Sequence, residues 1–350
     1  MHSKRLVIFT LILLLVLTLV VVAGCAKPEP VKPAEKPAEP TKEPAGKEVQ
    51  LEEVVLTAFT GWPEKVFPNE GFWIFMDIVE EKSGGRVRIN WLGGPEAMPT
   101  FEQAEALRDG LVDVLNTTPD YYVSLAPGAF ALQFSELTPK EERAAGVYDL
   151  LNEYHQEKVN AYYLGRTNPG LGFYLYSKVP IREANLSGIT VRVTPIYMGL
   201  VHALGGATVV MPAPEVYSAL ERGVVDAYGW PVIGVPDLGW HELTKYVIDH
   251  QFYNVSTSVI INYDKWKSLS PAVQQLLIEA AKEAEVKAEA HYQERFKRER
   301  ELLEAKGIEF VKLAPADAEK FMKTAYETGW KEALKLSPDF APRLRELISK

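Results

Sequence analysis

The chain carries one cysteine, Cys25, so no disulfide can form within it and no pair of thiols is available for redox exchange. Histidine is scarce too: the six are His2, His155, His202, His241, His250 and His291. None stands in a His-Glu-x-x-His arrangement or beside a Gly-x-Ser-x-Gly turn, and none belongs to a cluster with zinc-ligand spacing. Positive charge is short as well, with 38 Lys and Arg against 47 Asp and Glu and a formal net charge of −9. A chain this acidic, with no basic stretch laced with aromatics, is not built for nucleic acid. It would also repel anionic solutes at long range, so any anion site must rest on a few local cations.

What is present begins with a long apolar run, Leu6 to Ala23, that follows Lys4 and Arg5 and ends in Val22-Ala23-Gly24-Cys25. Small residues just before a lone cysteine resemble a bacterial lipobox, so residues 1–25 are expected to be a lipoprotein signal peptide with Cys25 lipidated. The alternative is a retained membrane anchor, since the run is nearly long enough to span a bilayer. Residues 26–50 (AKPEPVKPAEKPAEPTKEPAGKEVQ) are rich in Pro, Lys and Glu and have no aromatic residue. They cannot bury a core; extended at ~3.1 Å per residue, they would tether a folded domain up to roughly 70 Å from a membrane.

From Leu51 onward, short apolar strands alternate with helices, which predicts an α/β fold with mostly parallel sheets. Strands are expected at Val54–Phe59, Arg86–Trp91 and Leu111–Leu115, with helices over Gly71–Glu81 and Phe101–Arg108. A second set follows, with strands at Thr190–Val193 and Val209–Val210 and helices over Tyr197–Leu204 and Pro214–Arg222. Both sets end in the same phrase, Ala-Leu-x-x-Gly-x-Val-Asp: Ala106 to Asp113 in one and Ala219 to Asp226 in the other. Gly110 and Gly223 would close each helix in the left-handed conformation before a strand starts. Two similar lobes are therefore expected. Ligands of open α/β sheets bind beyond the carboxyl ends of strands. The tails after the repeated phrase, Asn116-Thr117-Thr118 and Tyr228-Gly229-Trp230-Pro231, are thus candidates to line the cleft, the other reading being ordinary helix–strand packing. Beyond them, Pro271 to Ala305 keeps apolar residues at spacings of three and four. A helix of that length reaches about 52 Å, enough to run across both lobes. Helices over 315–335 and 338–349 are expected to close the chain. The expected lobes are 51–170 plus about 256–295, and 171–255 plus about 296–350.

Leu186-Ser187-Gly188-Ile189-Thr190-Val191-Arg192-Val193, then Leu204-Gly205-Gly206, then Glu215-Val216-Tyr217-Ser218-Ala219-Leu220, then the second Gly-x-Val-Asp turn and Trp230-Pro231 form an ordered constellation. It resembles the DctP-type substrate-binding proteins of tripartite ATP-independent periplasmic (TRAP) transporters, and the likeness covers the chain from about Leu51 to the end. The resemblance implies a two-lobed periplasmic-binding-protein fold that captures a small organic acid outside the cytoplasm and delivers it to membrane-embedded transporter subunits. It implies that Arg192 pairs with the ligand carboxylate; a guanidinium stays charged when buried and meets a carboxylate through two parallel hydrogen bonds. Trp230 in place of the family's frequent asparagine is closer to the binders of oxo and hydroxy monocarboxylates. Some of those hold a metal ion through an acidic residue just before the tryptophan. Gly229 stands there, so no cofactor is expected, a bound calcium or sodium ion being the exception. Phe173 replaces the second arginine of sialic-acid receptors. Asn168, Tyr228 and Thr117 are further candidates for ligand contact. Trp62 either stacks on the ligand or packs within its own lobe. Arg166 is either a second cation or a salt-bridged surface arginine, and Arg88 reads as a solvated strand residue. The competing functions are an exported two-lobed enzyme and a tethered surface receptor without a transporter. Asp113 and Asp226 could pose as a catalytic carboxylate pair, but turn bonding explains them better.

Overall fold

The computed structural model describes residues 51–349; the expected signal peptide, Cys25 and the expected tether through residue 50 lie outside them. In chain order the first part comprises β1 (Val54–Thr60), α1 (Glu70–Ser83), β2 (Val87–Gly93), α2 (Gln103–Arg108) and β3 (Val114–Thr117), then α3 (Pro139–Ala144), α4 (Val147–Val159) and β4 (Ala161–Arg166). The middle holds β5 (Gly172–Ser177), β6 (Thr190–Val193), α5 (Met198–Ala203), β7 (Ala207–Val210), α6 (Val216–Glu221), β8 (Ala227–Trp230) and β9 (Tyr246–Asn254). The rest is β10 (Ser258–Asn262), α7 (Tyr263–Ser268), α8 (Pro271–Ala305), β11 (Glu309–Val311), α9 (Pro315–Leu336) and α10 (Ala341–Ile348).

These strands form two sheets, ordered β2-β1-β3-β10-β4 and β11-β9-β5-β8-β6-β7. Each is mixed rather than mostly parallel. β1 runs parallel to β2 and β3, and β6 parallel to β7 and β8. β10 enters the first sheet antiparallel, and β5 lies antiparallel to both β8 and β9 in the second. The antiparallel strands are those that carry the chain between sheets. It leaves the first sheet after Arg166 and returns after Asn254. The two crossings are bonded to each other, Thr167 N–H to Thr257 O at 2.8 Å and Val255 N–H to Leu171 O at 2.8 Å. This paired crossing is a natural hinge.

The repeated phrase does the same structural job in each sheet. Gly110 (φ +76°) and Gly223 (φ +70°) adopt the left-handed conformation that ends α2 and α6. Three residues later the aspartate binds the neighbouring parallel strand: Asp113 Oδ2 accepts from Thr57 N–H at 2.8 Å, and Asp226 Oδ2 from Thr190 N–H at 3.0 Å. The glycine sets the turn and the aspartate sets the register of the strand after it. Neither aspartate faces the other.

α8 spans both lobes. Its first half buries Val273, Leu277, Ala280 and Ala284 in an apolar cluster with Phe72, Phe75 and Ile78 of α1. Its second half packs on the other sheet, where Phe296 meets Tyr174 of β5 and Arg300 forms a two-pronged pair with Asp249 of β9 at 2.8 Å. α10 departs from the expected division, which placed residues 296–350 in the second lobe. It packs on α4 of the first lobe, with Phe340 stacked on Tyr154 at 3.9 Å and Arg343 paired with Glu153. The chain thus ends by strapping back over the lobe it began with. α10 also starts at Ala341 rather than Pro338, while α8 spans Pro271–Ala305 as expected.

An alanine at Gly223 meets no neighbour within 4 Å, so its whole cost is the left-handed backbone. Gly223→Ala should lower stability by about 1–2 kcal/mol in denaturant titrations. An unchanged midpoint would show that the turn can be rebuilt without a left-handed residue.

Candidate functional site

The parallel strands of the two sheets bring their carboxyl ends to one cleft. From the first lobe, Trp62 follows β1, and Thr118, Asp120 and Tyr121 follow β3. From the second, Arg192 and Thr194 close β6 and Trp230 closes β8, with Phe173 at the start of β5. The lobes meet around a cavity volume of ≈ 30 Å³, room for little more than a water or two. A solute enters only when the lobes part.

Arg192 is 1% exposed and has no acidic partner among its hydrogen bonds. Its Nε and Nη2 both donate to the carbonyl of Met211, at 2.9 and 2.7 Å, and Nη1 makes a long 3.4 Å bond to the Tyr197 hydroxyl. These contacts fix the plane of the guanidinium without neutralising it. Trp230 is held edge-on by Phe67 from the first lobe, at 5.8 Å, and by Trp240, at 4.9 Å. The indole N–H groups of Trp230 and Trp62 are buried without a hydrogen-bond partner. A buried orphan donor is costly and rare in proteins. With Arg192 they make a donor-rich site suited to the oxygens of an acid.

Asp120 is the residue that sequence reasoning missed, having stopped at Thr118 two positions earlier. It is 3% exposed; its Oδ2 accepts from Thr194 Oγ1 across the cleft at 3.1 Å, and its Oδ1 from Gln133 Nε2. Burial pushes its carboxyl up to about 7, against the opposing pull of Thr194, Gln133 and Arg192. Burial also pushes the neighbouring Tyr121 phenol up to about 12.

Of the seven expected contact residues, Arg192, Trp230, Phe173 and Trp62 line the cavity. Thr117, Asn168 and Tyr228 do not, because their surroundings already engage them. Thr117 pairs with Ser258 inside the sheet, and the next residue, Thr118, reaches the cavity instead. Asn168 donates to the Tyr292 hydroxyl at 2.7 Å, tying the crossing strand to α8. Tyr228 lies one step deeper along β8, stacked on Tyr176 at 5.1 Å with its hydroxyl on Thr244. Trp62 packs on Tyr121 of its own lobe at 5.3 Å and also lines the cavity. Arg166 is salt-bridged but not on the surface: it is 4% exposed, paired with Glu142 and donating to the carbonyls of Val255 and Leu132. Arg88 is exposed.

A metal ion fits poorly here. A side chain at position 229 would put its Cβ 2.9 Å from the Tyr197 ring, so the packing that orients Arg192 excludes an acidic ligand at that place. Among the described residues no group of three or more His, Cys, Asp or Glu is placed to hold a metal.

Closure is held at the cleft's edge by charge. Arg295 of α8 pairs with Glu70 of α1, with Glu299, and with both oxygens of Asp237 at 2.8 Å. Asp237 also accepts from Phe67 N–H at 3.1 Å, and Glu299 from Gly234 N–H at 2.8 Å. One arginine on the shared helix thus joins a first-lobe helix to the second-lobe segment that follows Trp230.

A two-lobed fold closing on a buried cation is the plan of a solute receptor, and comparison with known proteins agrees. Residues 61–335 match the model of the bacterial extracellular solute-binding proteins, family 7. The chain belongs to that family. It is 24% identical over 240 residues to a monocarboxylate 2-oxoacid-binding periplasmic protein of a Nostoc species, covering 64% of each chain. It is 25% identical over 226 residues to the 2,3-diketo-L-gulonate-binding periplasmic protein of Escherichia coli, covering 60% of this chain and 66% of that one. The chain thus spans a little under two thirds of the length of these curated relatives. The fold matches that of a TRAP periplasmic solute-binding protein from Desulfovibrio salexigens, solved with orotic acid. There the TM-score is 0.76 and the identity 19%, over 84% of this chain and 97% of that one.

Two variants probe the buried charges. Arg166→Ala leaves Glu142 buried and unpaired, and should cost about 3–5 kcal/mol of stability in denaturant unfolding; a loss under ~1 kcal/mol would mean the pair relaxes into solvent. Asp120 holds a proton in the native protein up to about pH 7, whereas in the unfolded chain it loses it near ~3.9. The native state binds the extra proton between those values. The stability of the wild type relative to Asp120→Asn should therefore fall as pH rises from about 4 to 7, by up to about 1.4 kcal/mol per unit, and level off above. A difference that stays constant with pH would show that Asp120 is ionised throughout.

Proposed function

We propose that this protein is a receptor, not an enzyme: it captures a small organic acid outside the cytoplasm and delivers it to the membrane subunits of a TRAP-type transporter. The observation that carries the reading is Arg192, a fully buried guanidinium at the lobe interface whose hydrogen bonds go only to neutral oxygens. A carboxylate entering the open cleft supplies the missing anion through Nη1 and Nη2, and closure then removes water and strengthens the pair. Unpartnered indole N–H groups of Trp62 and Trp230 would take further oxygens of the same solute. Relatives named for 2-oxoacids and diketogulonate, and a fold neighbour holding orotic acid, all handle solutes with an acid group beside other oxygens. The Tyr197 ring packed against Gly229, which crowds an acidic side chain at that position, supports reading the site as one that needs no metal. The lipid at Cys25 and the tether through residue 50 would keep the receptor at the membrane that holds its transporter.

The test is titration calorimetry of wild type and Arg192→Ala against a panel of small mono- and dicarboxylates, with and without calcium. The wild type should bind at least one acid without calcium. Arg192→Ala should weaken it at least 100-fold while losing only about 1 kcal/mol of stability, since its lost partners are neutral. Undiminished affinity, or a variant that no longer folds, would make Arg192 a structural residue.

A further inference from the structure

The cavity that holds Arg192 also holds a carboxylate. Asp120 comes from the first lobe and Arg192 from the second. Thr194, two residues beyond Arg192 and just past the end of β6, donates to Asp120. When the lobes close, a negative group is therefore brought up to the site meant to receive an acid. The other titratable groups facing Asp120 are Tyr121 and Tyr122 of its own segment and Tyr197 after β6. Burial raises the pKa of all three, so they stay neutral. Among the described residues, the formal charges lining the cavity are then Arg192 and Asp120 alone. Above about pH 7, where Asp120 is ionised, they balance.

This balance selects the solute's charge, and the selection rests on the carboxylate reading of Arg192. Above about pH 7 a simple anion enclosed here leaves one negative charge uncompensated where water is excluded, or else makes Asp120 take up a proton. A solute with one carboxylate and one cationic nitrogen leaves none. The remaining walls suit the second group. Trp62, Tyr121, Phe173 and Trp230 line the cavity, and aromatic rings attract cations, quaternary ammonium above all. We propose that the solute is a zwitterion, an amino acid or betaine, whose carboxylate binds Arg192 and whose ammonium group lies by Asp120 among the aromatic rings. Each charged residue of the cavity then has a partner of opposite sign on the solute, and the selectivity is for zero net charge. The raised carboxyl of Asp120 in the closed cleft without solute fits this: a cation beside it would return it to the ionised form.

Matched pairs of nearly the same shape test the proposal. Glycine betaine and 3,3-dimethylbutanoate differ chiefly in the charge on the central atom, as do L-proline and cyclopentanecarboxylate, and L-alanine and 2-methylpropanoate. Thermal shift and calorimetry of the purified protein at pH 8 should show the zwitterion of at least one pair binding at least tenfold more tightly than its anion. Asp120→Asn, nearly isosteric, should remove that preference while an apo melt confirms its fold. Binding of the anions by the wild type should weaken toward tenfold per unit as pH rises through 7 to 8, while zwitterion binding does not weaken. Three results overturn the proposal. One is no shift from any zwitterion of the set, whatever the anions do. Another is anions that bind as well as their partners at pH 8. The last is a zwitterion preference that survives Asp120→Asn. In the first two cases anion binding that is lost in Arg192→Ala keeps the carboxylate reading intact. Binding indifferent to Arg192→Ala sinks both.

Discussion

A guanidinium cannot shed its proton inside a protein, so burying one without an anion is a standing electrostatic cost. Arg192 carries much of that cost at the meeting point of the two lobes, because its hydrogen bonds go to neutral oxygens and the carboxyl of Asp120 in the same cavity is bonded to Thr194 and Gln133 instead. The Met211 carbonyl and the Tyr197 hydroxyl hold the fork in one plane. Gly229 leaves room for the Tyr197 ring that makes this possible. Asp120, arriving from the opposite lobe, lies close enough to feel the charge but is held by Thr194 and Gln133. The fork is aimed and incompletely paired, which is the state a binding site needs before its solute arrives.

The same contrast of paired and unpaired cations organises the rest of the molecule. Arg166, equally buried, is satisfied by Glu142 and two carbonyls, and it locks the first lobe beside the crossing strands. Arg295 gathers Glu70, Asp237 and Glu299 where the lobes touch. Three carboxylates around one arginine make a latch at the edge of the closed cleft. Such a latch can open, since charged groups at a cleft edge find water when the lobes part. Phe67 couples it to the site: its N–H binds Asp237 while its ring rests edge-on against Trp230.

Much of the fold is legible in the sequence because it is written in local chemistry. The repeated Ala-Leu-x-x-Gly-x-Val-Asp phrase announces a left-handed helix stop, and both copies make one; its aspartates, expected to bond within the turn, instead bond the neighbouring parallel strand. The periodicity of residues 271–305 likewise marks a helix long enough to cross two lobes. What could not be read depends on contacts between distant segments. The antiparallel placement of β5 and β10 follows from two crossings that pair with each other, and the docking of α10 on α4 from a stack between Tyr154 and Phe340. At the site, Trp230 is legible as the tail of the second repeated phrase, and Arg192 through the family resemblance of its strand. Whether the residue just past a strand faces the cleft depends on register, which favours Thr118 over Thr117. Asp120 was missed because an aspartate after a proline in a turn is ordinary; only closure against Thr194 brings it into the cavity.

The most direct test of the account is a crystal structure of the protein with its acid bound. The carboxylate should lie in the interlobe cavity, with its two oxygens ~3 Å from Arg192 Nη1 and Nη2, and with Trp62 and Trp230 closed on the solute. A bound acid resting elsewhere, with Arg192 still donating only to Met211 and Tyr197, would contradict it.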